Sequence, residues 1–296
     1  MHWKDAWNVL KVAALQWYND NPFRLGAALA YYAVFSIGPI VLIAVTIAGM
    51  VFGKEEAREQ LVSRINQTAG PQVGEAIGGT LRYAHQAGGG VLATVIGVVV
   101  LLVAAAGLFA AIQDALNTIW GVRPKSGRGI AGVVKDRLLP YLMVLGVGVL
   151  LLASLVLSSV LAAVSHFLPP SSVPGGLVLW RVLNWAVSLV LLTALFALVY
   201  KVLPDVEIGW GDVWVGAAVT AVLFTAGTYL IGLYLGRGSV ASPYGAAGSL
   251  VVILVWVYYS SQIFLFGAEF TQAYANRAGR PMQPAENAVR VGQAAG

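Results

Sequence analysis

Cysteine is absent from the 296 residues, histidine occurs three times (His2, His85 and His166), and only 10% of the chain is Asp, Glu, Lys or Arg. The missing thiols exclude disulfides, thiolate zinc sites, iron–sulfur clusters and a cysteine nucleophile. Three widely separated histidines do not build a histidine-rich metal site. The scarcity of charge excludes more: soluble domains carry about a quarter charged residues, and a chain this poor in them lacks the polar surface to cover its own core. What fills the sequence instead is hydrophobic side chains, at 58%. The bilayer is therefore the solvent for which the chain is built.

A hydrocarbon core about 30 Å thick is crossed by roughly 20 apolar residues in a helix. Six stretches meet that length, at 25–52, 91–119, 139–165, 177–203, 211–236 and 247–275. They hold only Asp114, Arg181, Lys201, Asp212 and Glu269 as charged residues. Each is too long for a buried strand, and none alternates as the strands of a membrane barrel do, so the predicted class is an all-α integral membrane protein with six transmembrane helices.

Orientation follows from basic residues, which stay on the cytoplasmic side of short loops. Lys4, Lys11, Arg24, Arg123, Lys125, Arg128, Lys135, Arg137, Lys201, Arg277, Arg280 and Arg290 fall on one side. Lys54, Arg58, Arg64, Arg82, Arg181 and Arg237 fall on the other, several of them offset by Glu55, Glu56, Glu59 and Glu75. Both termini are predicted to be cytoplasmic. The net charge of +5 is then a consequence of topology and requires no nucleic-acid partner.

Ahead of the first span, Trp3, Trp7, Leu10, Ala14 and Trp17 recur at helical spacing, with Lys4, Asn8 and Lys11 on another face. Residues 1–22 read as an interfacial amphipathic helix, or equally as a helix packed on the rim of the bundle. The long apolar run after it differs from the short one of a cleavable signal. Residues 53–90 are expected to form one or two short helices over the outer mouth. Residues 277–296, polar and small, read as a flexible cytoplasmic tail.

A charge at bilayer depth costs about 2.5 kcal/mol or more and faces protein or water. Asp114 and Glu269 lie at similar depths in the inner half of the membrane, and Arg24 opens the first span on the same side. Gln113, Asn117 and Gln272 stand within about a turn of them, Asn117 at i+3 from Asp114, and Gln262 at i−7 from Glu269. Two readings follow. One is a polar cavity facing the cytoplasm, where Arg24, Asp114 and Glu269 bind an anionic head group or relay protons. The other is an ion-pair knot that pins three helices. Tyr31, Tyr32 and Ser36, with Tyr258, Tyr259, Ser260 and Ser261, form a second polar belt nearer mid-membrane. Pro39 is expected to kink the first span. Gly97, Gly107, Gly146, Gly148, Gly216 and Gly227 permit close helix packing. The Gly-rich stretch 236–249 is most simply an external turn.

Three motifs, RLGAALAYYAVFSIGPI from Arg24 to Ile40, DALNTIWGV from Asp114 to Val122, and YGAAGSLVVILVWVYYSSQIFLFGAEFTQAYA from Tyr244 to Ala275, resemble the YihY/BrkB family of bacterial inner-membrane proteins. The resemblance covers residues 10–280 and falls on Arg24, Tyr31, Ser36, Pro39, Asn117, Trp120, Tyr244, Gly245, Trp256, Gly267 and Glu269. It implies a six-helix protein of the bacterial inner (plasma) membrane, with links to serum resistance and to envelope lipid or lipopolysaccharide transport. It supplies no catalytic residue, metal or cofactor. Membrane lipids are the expected partners, an anionic lipid or similar amphipathic molecule the expected substrate, and self-association stays open. The alternative is a non-transporting structural or assembly component of the envelope. An older family label, ribonuclease BN, is the least favoured reading, because the loop 121–138 offers basic residues with one acid, Asp136, and nothing to cleave RNA.

Overall fold

The computed structural model describes residues 3–36, 53–69, 73–75, 78–79, 91–125, 138–139, 141–143, 145–150, 152–154, 156–157, 160, 176–237 and 248–292. Pro39 and the stretch 238–247 lie outside these residues. The chain is mostly helical. In order come α1 (Trp3–Asn19), α2 (helical over residues 22–36), α3 (Lys54–Ala69), α4 (Val91–Ile119), β1 (Val122–Pro124), α5 (Gly176–Val202), β2 (Val206–Glu207), α6 (Trp210–Arg237), α7 (Gly248–Arg277), β3 (Gln283–Pro284) and β4 (Ala288–Arg290). Further helical residues recur between 138 and 160.

Among the described residues, three helical stretches are long and apolar enough to cross a membrane: Val178–Val202, Trp210–Tyr234 and Leu250–Arg277. Their outer faces carry Val182, Trp185, Val190, Val222, Tyr229, Leu230 and Leu250, all exposed, as suits helices surrounded by lipid rather than water.

These three helices pack consecutively, α5 on α6 and α6 on α7, and small residues set the spacing. Gly216 on α6 receives Thr271 of α7, and Gly267 on α7 receives Thr220 of α6 together with the Tyr200 hydroxyl of α5. Nearer the other end, Gly227 faces Tyr259 and Ile263. Each glycine removes the one side-chain atom that would hold the backbones apart, and dispersion contact replaces the hydrophobic drive that lipid cannot supply.

Tyr200 sits at the centre of this packing, fully buried. Its hydroxyl donates to the Phe264 carbonyl at 2.7 Å, and its ring lies 5.1 Å from that of Phe264 and 6.2 Å from that of Trp120. The Trp120 indole N–H reaches the Ala268 carbonyl at 3.2 Å, which ties the end of α4 to α7. Both ring donors are thus satisfied inside an apolar setting, as buried Tyr and Trp require.

The N-terminal helix follows the packing alternative on one face. Val9 and Ala13 are buried against Phe270 and Ala273 of α7, and Arg277 pairs with Asp5. Its opposite face leaves Trp7, Lys11, Leu15 and Tyr18 exposed. At Asn21 the backbone takes φ +53°, a left-handed conformation that Asn tolerates better than most residues, and the chain turns from α1 into α2. The α2 helix then runs antiparallel along α7, with Gly26 against Gln262 and Tyr258 and with Ala30 and Ala33 beside Val257.

The C-terminal segment corrects the expectation of a mobile tail. β4 pairs antiparallel with β1 (Val122↔Arg290, Pro124↔Ala288), and β3 pairs with β2 (Val206↔Pro284, Glu207↔Gln283). Lys125 N–H donates to the Asn287 carbonyl, Ala285 N–H to that of Asp205, and Val291 N–H to that of Gly121. Met282 and Ala288 are buried, and Arg280 reaches Asp212 at 2.6 Å. Composition judged this segment by its few apolar side chains. The order comes from backbone groups offered by two loops at the same end of the bundle, a partner that composition does not register.

Candidate functional site

The helix ends that meet at this end of the molecule carry several of the buried polar groups among the described residues. On α4, Gln113 and Asn117 stand four residues apart, share one face and are both buried. Their common partner is Asp205, in the short link between α5 and β2. Asn117 Nδ2 donates to the Asp205 carboxylate at 2.7 Å, Asp205 N–H donates to Asn117 Oδ1 at 2.8 Å, and Gln113 Nε2 stands at 3.5 Å from the carboxylate. Asp205 was not among the residues expected from sequence. It lies outside every apolar run, 88 positions from Asn117, and only a Pro-Asp turn signal marked its place.

Asp205 is thus a bracket between α4, the α5 exit and the tail strand beyond Ala285. Asp205→Ala leaves two amides of α4 without their acceptor, and we expect it to cost about 1–3 kcal/mol, read as a lowered unfolding temperature in detergent. Asp205→Asn, which keeps an acceptor oxygen, is expected to cost less.

Asp212, treated at first as one of the few charges within a span, is almost fully buried in the first turn of α6. There it meets the positive end of the helix dipole and the guanidinium of Arg280. Lys201 closes the same region: its ammonium donates to the Ile208 carbonyl at 2.6 Å and lies 5.7 Å from the Trp210 ring centroid.

The trio of Arg24, Asp114 and Glu269 is not assembled as expected. Arg24 and Asp114 are both exposed, and among the described residues no ion pair joins any two of the three. Asp114 and Asn117 do not share an environment either, since the first faces outward and the second is turned to Asp205. Counting rise gives position along a helix; the direction each residue faces depends on helix rotation, which the neighbours set.

Glu269 alone of the three is sealed inside, with 0% of its surface exposed. Neither of its carboxylate oxygens meets a hydrogen-bond donor among the described residues. The charged group that faces it is another acid, Asp20, from the joint between α1 and α2. Gln262, two turns earlier on α7, donates through Nε2 to the Pro22 carbonyl at 3.1 Å, while its Oε1 is buried without a partner. Gln272 is half-buried.

The belt predicted nearer mid-membrane divides. Ser36 is buried, and its hydroxyl lies against the carbonyls of Tyr32 and Ala104, so it links α2 to α4. Tyr31 and Tyr32 are exposed and pack ring to edge on each other. Ser260 and Ser261 are buried on α7, the latter bonded to the Val257 carbonyl. No group of three or more His, Cys, Asp or Glu among the described residues could hold a metal ion.

Comparison with known proteins agrees with this picture of a membrane-embedded helical chain. The family model described as virulence factor BrkB matches residues 14–290. A UPF0761 membrane protein of Pseudomonas aeruginosa (strain LESB58) is 30% identical over 271 residues, covering 90% of this chain and 62% of that protein. A UPF0761 membrane protein of Azotobacter vinelandii is 30% identical over 253 residues (84% and 59%), and one of Tolumonas auensis is 35% identical over 182 residues (60% and 56%). The chain spans about three fifths of the length of the first of these curated relatives. No solved structure matches.

Proposed function

This chain belongs to the virulence factor BrkB family of membrane proteins, and from that premise we propose that it moves an amphipathic, anionic envelope molecule such as a lipid across or within the bacterial inner membrane. The proposed topology has six spans with both termini cytoplasmic. In support of it, the start of α1, the ends of α4, α5 and α7 and the start of α6 gather at one end, together with Lys125, Lys201, Arg277, Arg280 and Arg290.

The observation that carries the transport reading is Glu269. A residue retained for stability inside a bundle is paired, because an unpaired buried carboxyl costs free energy and returns none. Glu269 is buried and, among the described residues, unpaired, which speaks against an ion-pair knot, and an intramembrane acid without a structural partner is by default a functional group. The exposed Arg24 stands at the head of α2 as the cation for an anionic head group.

The test is reconstitution of the full chain in vesicles that contain a fluorescent phosphatidylglycerol, with reduction of the outer-leaflet label as the readout. We expect faster exchange of the probe between leaflets than in protein-free vesicles, and a slower rate for Arg24→Ala. Equal rates with and without the protein, for this probe and for a fluorescent lysolipid, would favour the assembly component instead.

A further inference from the structure

The joint between α1 and α2 lies against the second half of α7 and collects polar atoms that nothing among the described residues pairs. They are Gln16 Oε1 and Trp17 Nε1 from α1, and Gln262 Oε1 with both carboxylate oxygens of Glu269 from α7. The Gln262 amide is fixed by its bond to the Pro22 carbonyl, which only the NH2 group can donate, so its oxygen remains an acceptor. Glu269 therefore sits buried with neither oxygen paired among the described residues.

The charges around it sharpen the point. Asp20 faces Glu269 from the joint and is half-buried, so it has access to solvent that Glu269 lacks. Arg277 is engaged by Asp5 and Arg280 by Asp212, while Arg24 is exposed and pairs with neither acid. Among the described residues, the other helices packed on this stretch of α7 meet it with uncharged groups. α4 places Trp120 on the Ala268 carbonyl, α5 places the Tyr200 hydroxyl on the Phe264 carbonyl, and α6 sets Gly216 against Thr271.

Two carboxyls that face each other without a cation repel when both are ionised. One proton between them converts that repulsion into a short, charge-assisted hydrogen bond. We infer that Glu269 and Asp20 form a carboxyl pair that holds one exchangeable proton at the point where the N-terminal helix meets the last span. The proton resides on a Glu269 oxygen and is donated to the Asp20 carboxylate, whose exposed side is its route to and from water. Its release leaves two like charges between α1 and α7 and loosens the contact of Val9 and Ala13 with Phe270 and Ala273. The site stands whether or not the chain moves lipid.

Difference infrared spectroscopy of the full chain in lipid nanodiscs tests this without reference to transport. At neutral pH the wild type is expected to show a carboxylic-acid C=O band that Glu269→Gln removes and that alkaline pH abolishes. Asp20→Asn takes away the opposing charge and is expected to bring that transition to lower pH, with the Trp17 emission following it. Should Glu269→Gln fail to fold, the Asp20→Asn titration decides alone. A band indifferent to Glu269→Gln, a transition unmoved by Asp20→Asn, or a band that responds to added sodium at constant pH and not to pH itself would each overturn the proposal.

Discussion

Gly267→Leu is expected to abolish the folded protein, with the largest loss of stability of any single substitution considered. A Cβ at this position would stand inside the contact distance of Thr220 Oγ1 and 2.7 Å from the Tyr200 hydroxyl oxygen. Neither neighbour is free to retreat. Thr220 is bonded to the Gly216 carbonyl at 2.7 Å, and Tyr200 is held at Phe264 and boxed by Trp120 and Phe196. The helices must part, and that breaks the α6–α7 and α5–α7 contacts together. Overpacking a core costs about 1–3 kcal/mol where the surroundings yield, and more is expected where they cannot. The measurement is the yield of monodisperse protein after detergent extraction, with Gly232→Leu as the control, because nothing lies within 4 Å of a Cβ there.

Glu269→Gln is expected to act in the opposite way, with the fold retained and the activity lost. The amide is nearly the same size as the carboxyl, carries no charge to desolvate, and breaks no hydrogen bond among the described residues. What it removes is an ionisable group sealed inside the bundle. If the carboxyl takes part in moving an anionic lipid, we expect the vesicle exchange rate to fall by about tenfold or more, equivalent to about 1.4 kcal/mol in the barrier. Asp114→Asn, by contrast, alters an exposed side chain and is expected to change the rate little.

The sequence disclosed helices far more readily than it disclosed neighbours. The apolar runs and the helices α4 to α7 coincide closely, because in lipid every backbone group must be satisfied within its own segment and long apolar runs have one structural solution. The small residues of the fifth span were legible as packing positions for the same reason, and Gly216 and Gly227 serve as such, whereas Gly267 of the sixth was not among them. Asp205 was illegible: it lies in a loop, and its value depends on Asn117 and Gln113 arriving from a distant helix. The tail was misjudged on composition, since what orders residues 283–290 is strand pairing to β1 and β2.

Within the candidate site, residue choice and residue grouping separated. Glu269 stood out as an acid in an apolar helix, and its burial agrees with the cost that made it conspicuous. Its grouping with Arg24 and Asp114 rested on equal depth, which constrains one coordinate of three. Gln113 and Asn117 were picked as companions of Asp114, yet they turn to the other side of α4, and the group that faces Glu269 comes from the α1–α2 joint. Asp20 was not among the residues singled out from the sequence.

The central claim is that Glu269 is kept for what it does and is not the centre of an ion pair that holds the bundle together. Unfolding of wild type and Glu269→Gln, followed side by side in the same bicelles, tests it most directly. The account predicts a substituted protein at least as stable as the wild type. A loss of about 3 kcal/mol or more, the size expected when a buried charge pair is broken, would contradict it and return Glu269 to a structural role.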